Sequence, residues 1–356
     1  MTVTTPWWRP DRFAPKRDFL AARQRVVAAI RGFFGQRDFA EVETPALQVS
    51  PGLEPHLKAF ATELEAPDGR RRPLMLHTSP EFTMKKLLVA GVPRLYQLAR
   101  VFRNGERSAT HHPEFTMLEW YRADAGYRAV MGDCEELLRA ALTAAAAGEL
   151  RWQGRRADPF ATWEYISVAA AFERHAGIDL MAAIDDPASP TPAPLAESAR
   201  RIGIEPRAGD SWEDIFFRIF LHRIEPKLGI GQPTILFDYP VSMAALARPK
   251  PGDARLAERF ELYVCGFELA NAFGELTDAA VQRRRFEADM DTKQRLYGQR
   301  YPIDEDFLAA LTFGMPESAG IALGVDRLVM LCTGADHIEQ VIWAPVAAAS
   351  DAGTQL

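Results

Sequence analysis

Cysteine is scarce in this sequence: Cys134, Cys265 and Cys332 lie far apart, and none belongs to a CxxC pair. That spacing excludes a disulfide framework and gives no support to a zinc site. Small buried thiols in a reducing compartment are expected instead. No apolar run approaches the roughly 20 residues of a membrane span. The N-terminus lacks a basic region followed by an apolar stretch, so no signal peptide is expected and a cytoplasmic location is. Positive charge is not in excess either. The 42 Lys and Arg against 48 Asp and Glu leave a net charge of −6, the wrong sign for a chain that lives on non-specific phosphate contacts. No internal repeat is present.

A hydrophobic share of 47% and a charged share of 25% are those of an ordinary folded protein. The 356 residues suffice for one large domain or two medium ones. Apolar residues at helical spacing (Phe19, Leu20, Val26, Val27, Ile30, Phe33, Phe34) predict an amphipathic helix over 16–37. It leads into a short strand closed by Pro45. Pro67 to Arg72 reads as a hairpin turn. Thr78-Ser79-Pro80-Glu81 reads as a helix start, with Ser79 as the cap and Pro80 in the first helical position. Strands are expected at 95–103, 114–122, 234–238 and 259–275, helices over 127–147 and 281–297, and a strand-to-helix unit at 320–332. From about 156 to 225 the pattern turns helical around the proline-rich stretch 185–194, which suggests an inserted helical subdomain. Residues 1–15 are then an N-terminal extension, 16–346 the main domain, and 347–356 a tail expected to be disordered. Long strands without regular βαβ alternation predict an α+β fold, a mainly antiparallel sheet flanked by helices.

Three stretches carry candidate chemistry. Alternate residues of a strand share a face, so Gln97, Ala99, Val101 and Arg103 lie together, as do Phe115, Met117, Glu119 and Tyr121 on the next strand. Arginine's planar fork suits a phosphate, Phe115 offers a plate for a base, and Glu119 and Tyr121 could orient an amine. A half-solvated sheet face is the plainer alternative. In the second stretch, Glu261 to Glu275, a tight turn at Cys265-Gly266 sets Tyr263 opposite Glu268. Glu261 is then the diagonal neighbour of Glu268, about 7–8 Å away between backbones. Two such carboxylates could share a cation, and oxygen-only ligands beside phosphates suit Mg²⁺. Asn271, Phe273 and Glu275 share one face, which Glu268 joins only through a β-bulge between Glu268 and Asn271. The alternative is a solvent-facing acidic hairpin. In the third stretch, a glycine-flanked strand from Gly320 enters a helix with Asp326 and Arg327 in its first turn, where anions are favoured; alone, this reads as packing. Gly229-Ile-Gly231 is too short for a dinucleotide loop and reads as a turn. His111-His112 lacks metal-site partners and reads as a phosphate contact or a solvated loop.

Taken together, these residues resemble a known family. Val101-Phe-Arg-Asn104 followed by His111-His-Pro-Glu-Phe-Thr-Met-Leu-Glu-Trp-Tyr121 is similar to the second signature motif of class II aminoacyl-tRNA synthetases in its lysyl form. Glu41-Val-Glu-Thr-Pro45 resembles the first motif and Gly320 to Arg327 the third. Glu258-Arg-Phe-Glu261 and Glu268 to Glu275 complete the lysyl pattern. The resemblance implies a homodimer with Pro45 at its interface and AMP-forming activation of an amino acid. It implies that Arg103 and Arg327 are catalytic and that Arg103, Asn104, His111, Phe115 and Arg327 bind ATP. Glu261 and Glu268 would hold Mg²⁺. Ser79, Glu81, Glu119, Tyr121, Asn271, Phe273, Glu275 and Ala322 would form the amino-acid pocket. Three carboxylates, with no lysine or arginine besides the phosphate-binding pair, favour a substrate carrying two amines.

Three features depart from the lysyl synthetases. Only about twenty residues precede the first helix, where an oligonucleotide-binding barrel needs on the order of 100, so tRNA is not the expected acceptor. Ala322 stands where the synthetases have glycine, and Ser79 adjoins a pocket glutamate. Both resemble a shorter branch of the family that activates (R)-β-lysine and attaches it to a lysine of elongation factor P. A methyl at 322 would narrow the pocket near the amino-acid head and favour an amine on the β-carbon. Gly105 and His112 replace a glutamate and an asparagine, which alters the loop contacts expected at the adenine edge. A ligase that joins (R)-β-lysine or lysine to elongation factor P is therefore expected. A truncated synthetase charging tRNA or another small acceptor, and a non-catalytic amino-acid sensor, are the alternatives. Arg70 to Arg72 and Arg283 to Arg285 are basic candidates for docking the acceptor.

Overall fold

A computed structural model of the chain describes residues 6–346; the tail expected at 347–356, like residues 1–5, lies outside the described residues. Eight strands make the main sheet: β1 (Ala40–Glu41), β2 (Arg94–Phe102), β3 (Glu114–Ala123), β4 (Glu164–Ser167), β5 (Thr234–Pro240), β6 (Leu256–Val264), β7 (Phe267–Gly274) and β8 (Ser318–Gly324). Their order is β1-β2-β3-β8-β7-β6-β5-β4. Only the outermost pairings, β1 with β2 and β4 with β5, are parallel; between them the sheet is antiparallel. Helices flank it, and the class is α+β.

One face of the sheet is the core. Leu118, Trp120, Phe260, Leu262, Ala272, Ile321 and Leu323 pack there against helices Arg17–Gly35, Tyr127–Ala145 and Val325–Thr333. The first of these helices buries Leu20, Val26, Ile30, Phe33 and Phe34 on one side. The chain then reverses at Asp38, whose φ is +58°. In the first turn of the last helix, Asp326 pairs with Arg23 and accepts the Thr116 N–H at 2.7 Å. Asp326 thus fastens two helices to the sheet, and its neighbour Arg327 is left to face the other side.

That other side is partly roofed. Helix Glu81–Val89 stacks on helix Glu305–Gly314, with Phe82 and Phe307 ring centroids 4.8 Å apart. A small sheet of Leu47–Gln48, Phe60–Glu65 and Arg71–Leu76 precedes the first of these helices in sequence. The Glu305–Gly314 helix is missing from the sequence reading. Helix Glu81–Val89 also starts differently: Pro80 is the cap, and Ser79 Oγ accepts the Glu81 N–H at 3.1 Å. Within the stretch read as helical, β4 belongs to the main sheet, and the helices begin at Val168. Phe172, Leu195, Phe216 and Phe220 form their own core, closed on Tyr239 and Tyr263 of the sheet.

Candidate active site

Strand register builds the site. Gln97 faces Glu119, Glu119 faces Ala322, Ala322 faces Asn271 and Asn271 faces Glu261, one row across five strands. The next row runs Leu95, Tyr121, Gly320, Phe273, Arg259. Neighbouring strands are about 4.8 Å apart, so residues more than 200 positions apart in sequence share one surface. Cys265 and Gly266 have φ of +54° and +81°, the two positive values of a tight primed turn, and Tyr263 lies opposite Glu268. The register then slips at Leu269. This bulge brings Glu268 to the face of Asn271 and Phe273, as the sequence required. It also sets Glu261 directly opposite Asn271.

A cavity of about 500 Å³ opens on this face. Arg103, His111, Phe115, Arg327, Glu261, Glu268, Ser79, Glu81, Glu119, Tyr121, Asn271, Phe273, Glu275 and Ala322 all line it. Of the sequence candidates only Asn104 does not; it is exposed, and its N–H is held by the Lys58 carbonyl.

At one end stand the cations. Arg103 lies 5.2 Å from the Phe115 ring, and its buried Nε has no hydrogen-bond partner among the described residues. Such a donor suits an incoming anion. Arg327 donates to the Glu268 carbonyl and to His111 Nε2, both at 2.8 Å. His111 therefore carries its proton on Nδ1, which lies 2.9 Å from Ser108 Oγ. Burial, with Arg327 beside it, holds His111 below the ordinary imidazole range. His112 is neither solvated nor free: its ring nitrogens meet the Glu114 carbonyl and the Val346 N–H.

At the other end stand the acids. Ser79 Oγ donates to Glu119 Oε1 at 2.5 Å and Tyr121 to Oε2 at 2.7 Å. Burial, then repulsion from Glu81, pushes Glu119 up to about 8. Glu275, fully buried, is pushed by burial to about 7. Here the structure corrects the expectation of a pocket free of other cations. Lys85, 1% exposed, pairs with Glu81 and lies 2.5 Å from Glu275. Even so, neither Glu275 oxygen completes a hydrogen bond of normal geometry. Three carboxylates against one ammonium leave room for added positive charge. Gly320 forms the floor: a Cβ there would lie 2.2 Å from the Tyr121 ring and 2.6 Å from Glu275 Oε1.

Between the ends lie Glu261 and Glu268. Glu261 accepts from Tyr239, Tyr263 and Arg259, each at 2.5 Å. Arg259, a second cation missed in sequence, also donates to Asn271 Oδ1 at 3.2 Å, so the Asn271 amide N–H₂ remains for a ligand. Burial and the nearby Glu261 charge push Glu268 up to about 7, a cost that a bound cation removes. Among the described residues no three His, Cys, Asp or Glu side chains gather into a metal cage. Two carboxylates fit Mg²⁺ when substrate phosphates supply further oxygens.

Lys85 was findable, since it follows Glu81 at the i+4 spacing of a helical ion pair. Gly320 and Arg259 were not, because their importance lies in the register. The arginine runs are largely neutralised within the chain. Arg70 pairs with Asp68, Arg71 with Glu63 and Glu65, and Arg283 with Glu305; Arg285 reaches the Ala244 and Ala247 carbonyls at 2.7 Å. All three cysteines are buried and free, and no helix among the described residues is long and apolar enough to cross a membrane.

Comparison with known proteins shows the family. Residues 11–348 match the family described as tRNA synthetases class II (D, K and N). A Haemophilus ducreyi protein named elongation factor P–(R)-β-lysine ligase is 39% identical over 324 residues, covering 91% of this chain and 92% of that one. Proteins of the same name from Haemophilus influenzae (39% over 335 residues, 93% and 97% covered) and Sodalis glossinidius (40% over 338 residues, 94% and 96% covered) are similar to the same extent.

Proposed function

We propose a reaction from one premise: the chain belongs to the class II tRNA synthetase family, in its D, K and N group. It is an AMP-forming ligase that activates (R)-β-lysine with ATP and joins it to a lysine side chain of elongation factor P. It works in the cytoplasm as a homodimer. The observation that carries the reading is the polarity of one cavity, with Arg103 and Arg327 at one end and Glu81, Glu119 and Glu275 at the other.

A substrate with two ammonium groups seats them against Glu119 and Glu275, where added positive charge stabilises buried carboxylates. The N–H₂ of Asn271 and the Arg103 guanidinium hold its carboxylate beside the ATP α-phosphorus. Phe115 stacks on the adenine, Arg327 swings from His111 to cover it, and His111 turns to the terminal phosphate. The carboxylate attacks the α-phosphorus, pyrophosphate leaves, and an aminoacyl-adenylate remains. Glu261 and Glu268 would hold Mg²⁺, which when bound neutralises phosphate charge. The protein's part is positioning and charge stabilisation; no side chain acts as nucleophile. Ala322, set between Glu119 and Asn271, puts a methyl at the amino-acid head, which suits an amine moved to the β-carbon.

One experiment tests this. The protein is given ATP with (R)-β-lysine or α-lysine, and then elongation factor P or lysine tRNA. Label from (R)-β-lysine on elongation factor P is the expected result. Label on RNA, or no pyrophosphate exchange with either amino acid, sinks it.

A further inference from the structure

Transfer makes a demand that activation does not. The attacking amine of a protein lysine is an ammonium at neutral pH, its usual pKa being about 10.4, and it must shed a proton beside the adenylate. Most cavity carboxylates are committed. Glu119 is held by Ser79 and Tyr121, Glu81 and Glu275 by Lys85, and Glu261 by two phenols and Arg259. Glu106, Glu225 and Glu268 lie near Arg327, at the nucleotide end, and Glu268 is kept for Mg²⁺ in the ligase reading. Glu54 differs. It lines the cavity and also a small pocket shared with Ser79 and Glu81. Its carboxylate makes no hydrogen bond or ion pair with a side chain among the described residues. Gly52, with φ of +124°, gives it room: a Cβ there would lie 3.0 Å from Glu54 Oε2.

We propose that Glu54 receives the ε-ammonium of the acceptor lysine and takes its proton in the transfer step, a role that rests on the ligase reading above. The charged groups around Glu54 are Glu81 from the pocket, Arg103 from the end of β2, and Lys293 and Asp289 from helix Ala279–Tyr297. Burial, then the Glu81 charge, pushes Glu54 above the usual carboxylate range, which makes it a better base near neutral pH. Phe217 and Leu221, 39% and 50% exposed, line the same cavity and give the lysine's methylene stem an apolar flank. In the step, the carboxylate takes one proton from the ammonium. The freed lone pair forms the C–N bond to the acyl carbon. The bond from that carbon to the phosphate oxygen breaks, its electron pair leaves with AMP, and the second N–H proton passes to water.

Three rates test the assignment: pyrophosphate exchange with (R)-β-lysine, trapping of the adenylate by hydroxylamine, and transfer to elongation factor P. Hydroxylamine is uncharged at neutral pH and needs no base. In Glu54→Gln, transfer falls about 100-fold while exchange and trapping stay within about threefold of the unaltered protein. Glu54→Asp, which keeps the carboxylate, recovers part of the transfer rate. Transfer that is unchanged, or trapping that falls in step with it, overturns the proposal. An unaltered protein with no pyrophosphate exchange overturns the ligase reading instead, so the two failures are distinguishable.

Discussion

At the end of the cavity proposed for the nucleotide, the charged groups are long and lightly held. Arg103 leaves a buried nitrogen without a partner, and Arg327 rests on a histidine and two backbone carbonyls. At the amino-acid end the groups are short and cross-braced, with Ser79, Tyr121 and Lys85 fixing three glutamates over a glycine floor. The difference suits the ligands proposed for the two ends. A triphosphate brings its own charge and shape, and flexible guanidinium arms can close on it. A small diamine must be told from its isomers by distance, which only a rigid frame measures.

The contrast is broken most severely at the nucleotide end. In the proposed reaction Arg103 holds the substrate carboxylate beside the α-phosphorus, so in Arg103→Ala adenylate formation measured by pyrophosphate exchange should fall about 1000-fold. The fold should survive, because no described residue uses the Arg103 Nε. A variant that exchanges at the ordinary rate removes Arg103 from the mechanism.

The amino-acid end should respond in stability as well as activity. Lys85→Met leaves Glu81 and Glu275 buried without their ammonium, a loss of about 3–5 kcal/mol that denaturant unfolding would read. Without the ammonium, the Glu275 pKa rises further above its unfolded value. The deficit is therefore smallest near pH 5 and grows toward pH 8. A deficit that shrinks as pH rises contradicts the pairing.

Much of this contrast was legible in the sequence, and the illegible part has a physical pattern. Strand alternation put Phe115, Glu119 and Tyr121 on one face. The need to bring Glu268 round to Asn271 demanded the bulge that the register shows at Leu269. Lys85 carried one signal, its i+4 spacing from Glu81, but its burial against Glu275 exists only once the helix is packed. The Glu305–Gly314 helix escaped because it lies between Pro302 and Pro316 with little polar periodicity, although Asp304, which accepts the Phe307 N–H at 3.0 Å, is a capping signal. Rows that join residues 119, 322 and 271 exist only once register is known.

The pH dependence of binding sharpens the comparison further. Glu275 at about 7 and Glu119 at about 8 are both raised from 4.5. For the free protein this is a penalty that begins above the unfolded value, grows with pH, and levels off once Glu275 has ionised at about 7 and Glu119 at about 8. A dicationic substrate binds the ionised carboxylates and offsets the penalty. Affinity should rise about tenfold or more from pH 6 to pH 8, with protons released on binding. Calorimetry in two buffers of different ionisation enthalpy counts those protons. No proton release and no dependence on pH would mean that the carboxylates are already ionised in the free pocket, and net uptake would contradict their role in seating the substrate.

The smallest effect tests the rigid frame most finely. Ala322 lies in register between Glu119 and Asn271, so in the proposed pose its methyl stands between the substrate's ammonium and its carboxylate. Moving the amine from the α- to the β-carbon lengthens the substrate's head by one carbon, and the methyl displaces that head along the row. Ala322→Gly removes the displacement without touching a charge. A buried methyl is worth about 0.8 kcal/mol, so the ratio of kcat/KM for (R)-β-lysine over α-lysine should fall roughly fourfold, with ATP KM unchanged. If the ratio holds while both rates drop equally, the methyl only packs. Discrimination must then come from the brace of Ser79 and Tyr121 on Glu119, and Ser79→Ala would be the variant to shift it.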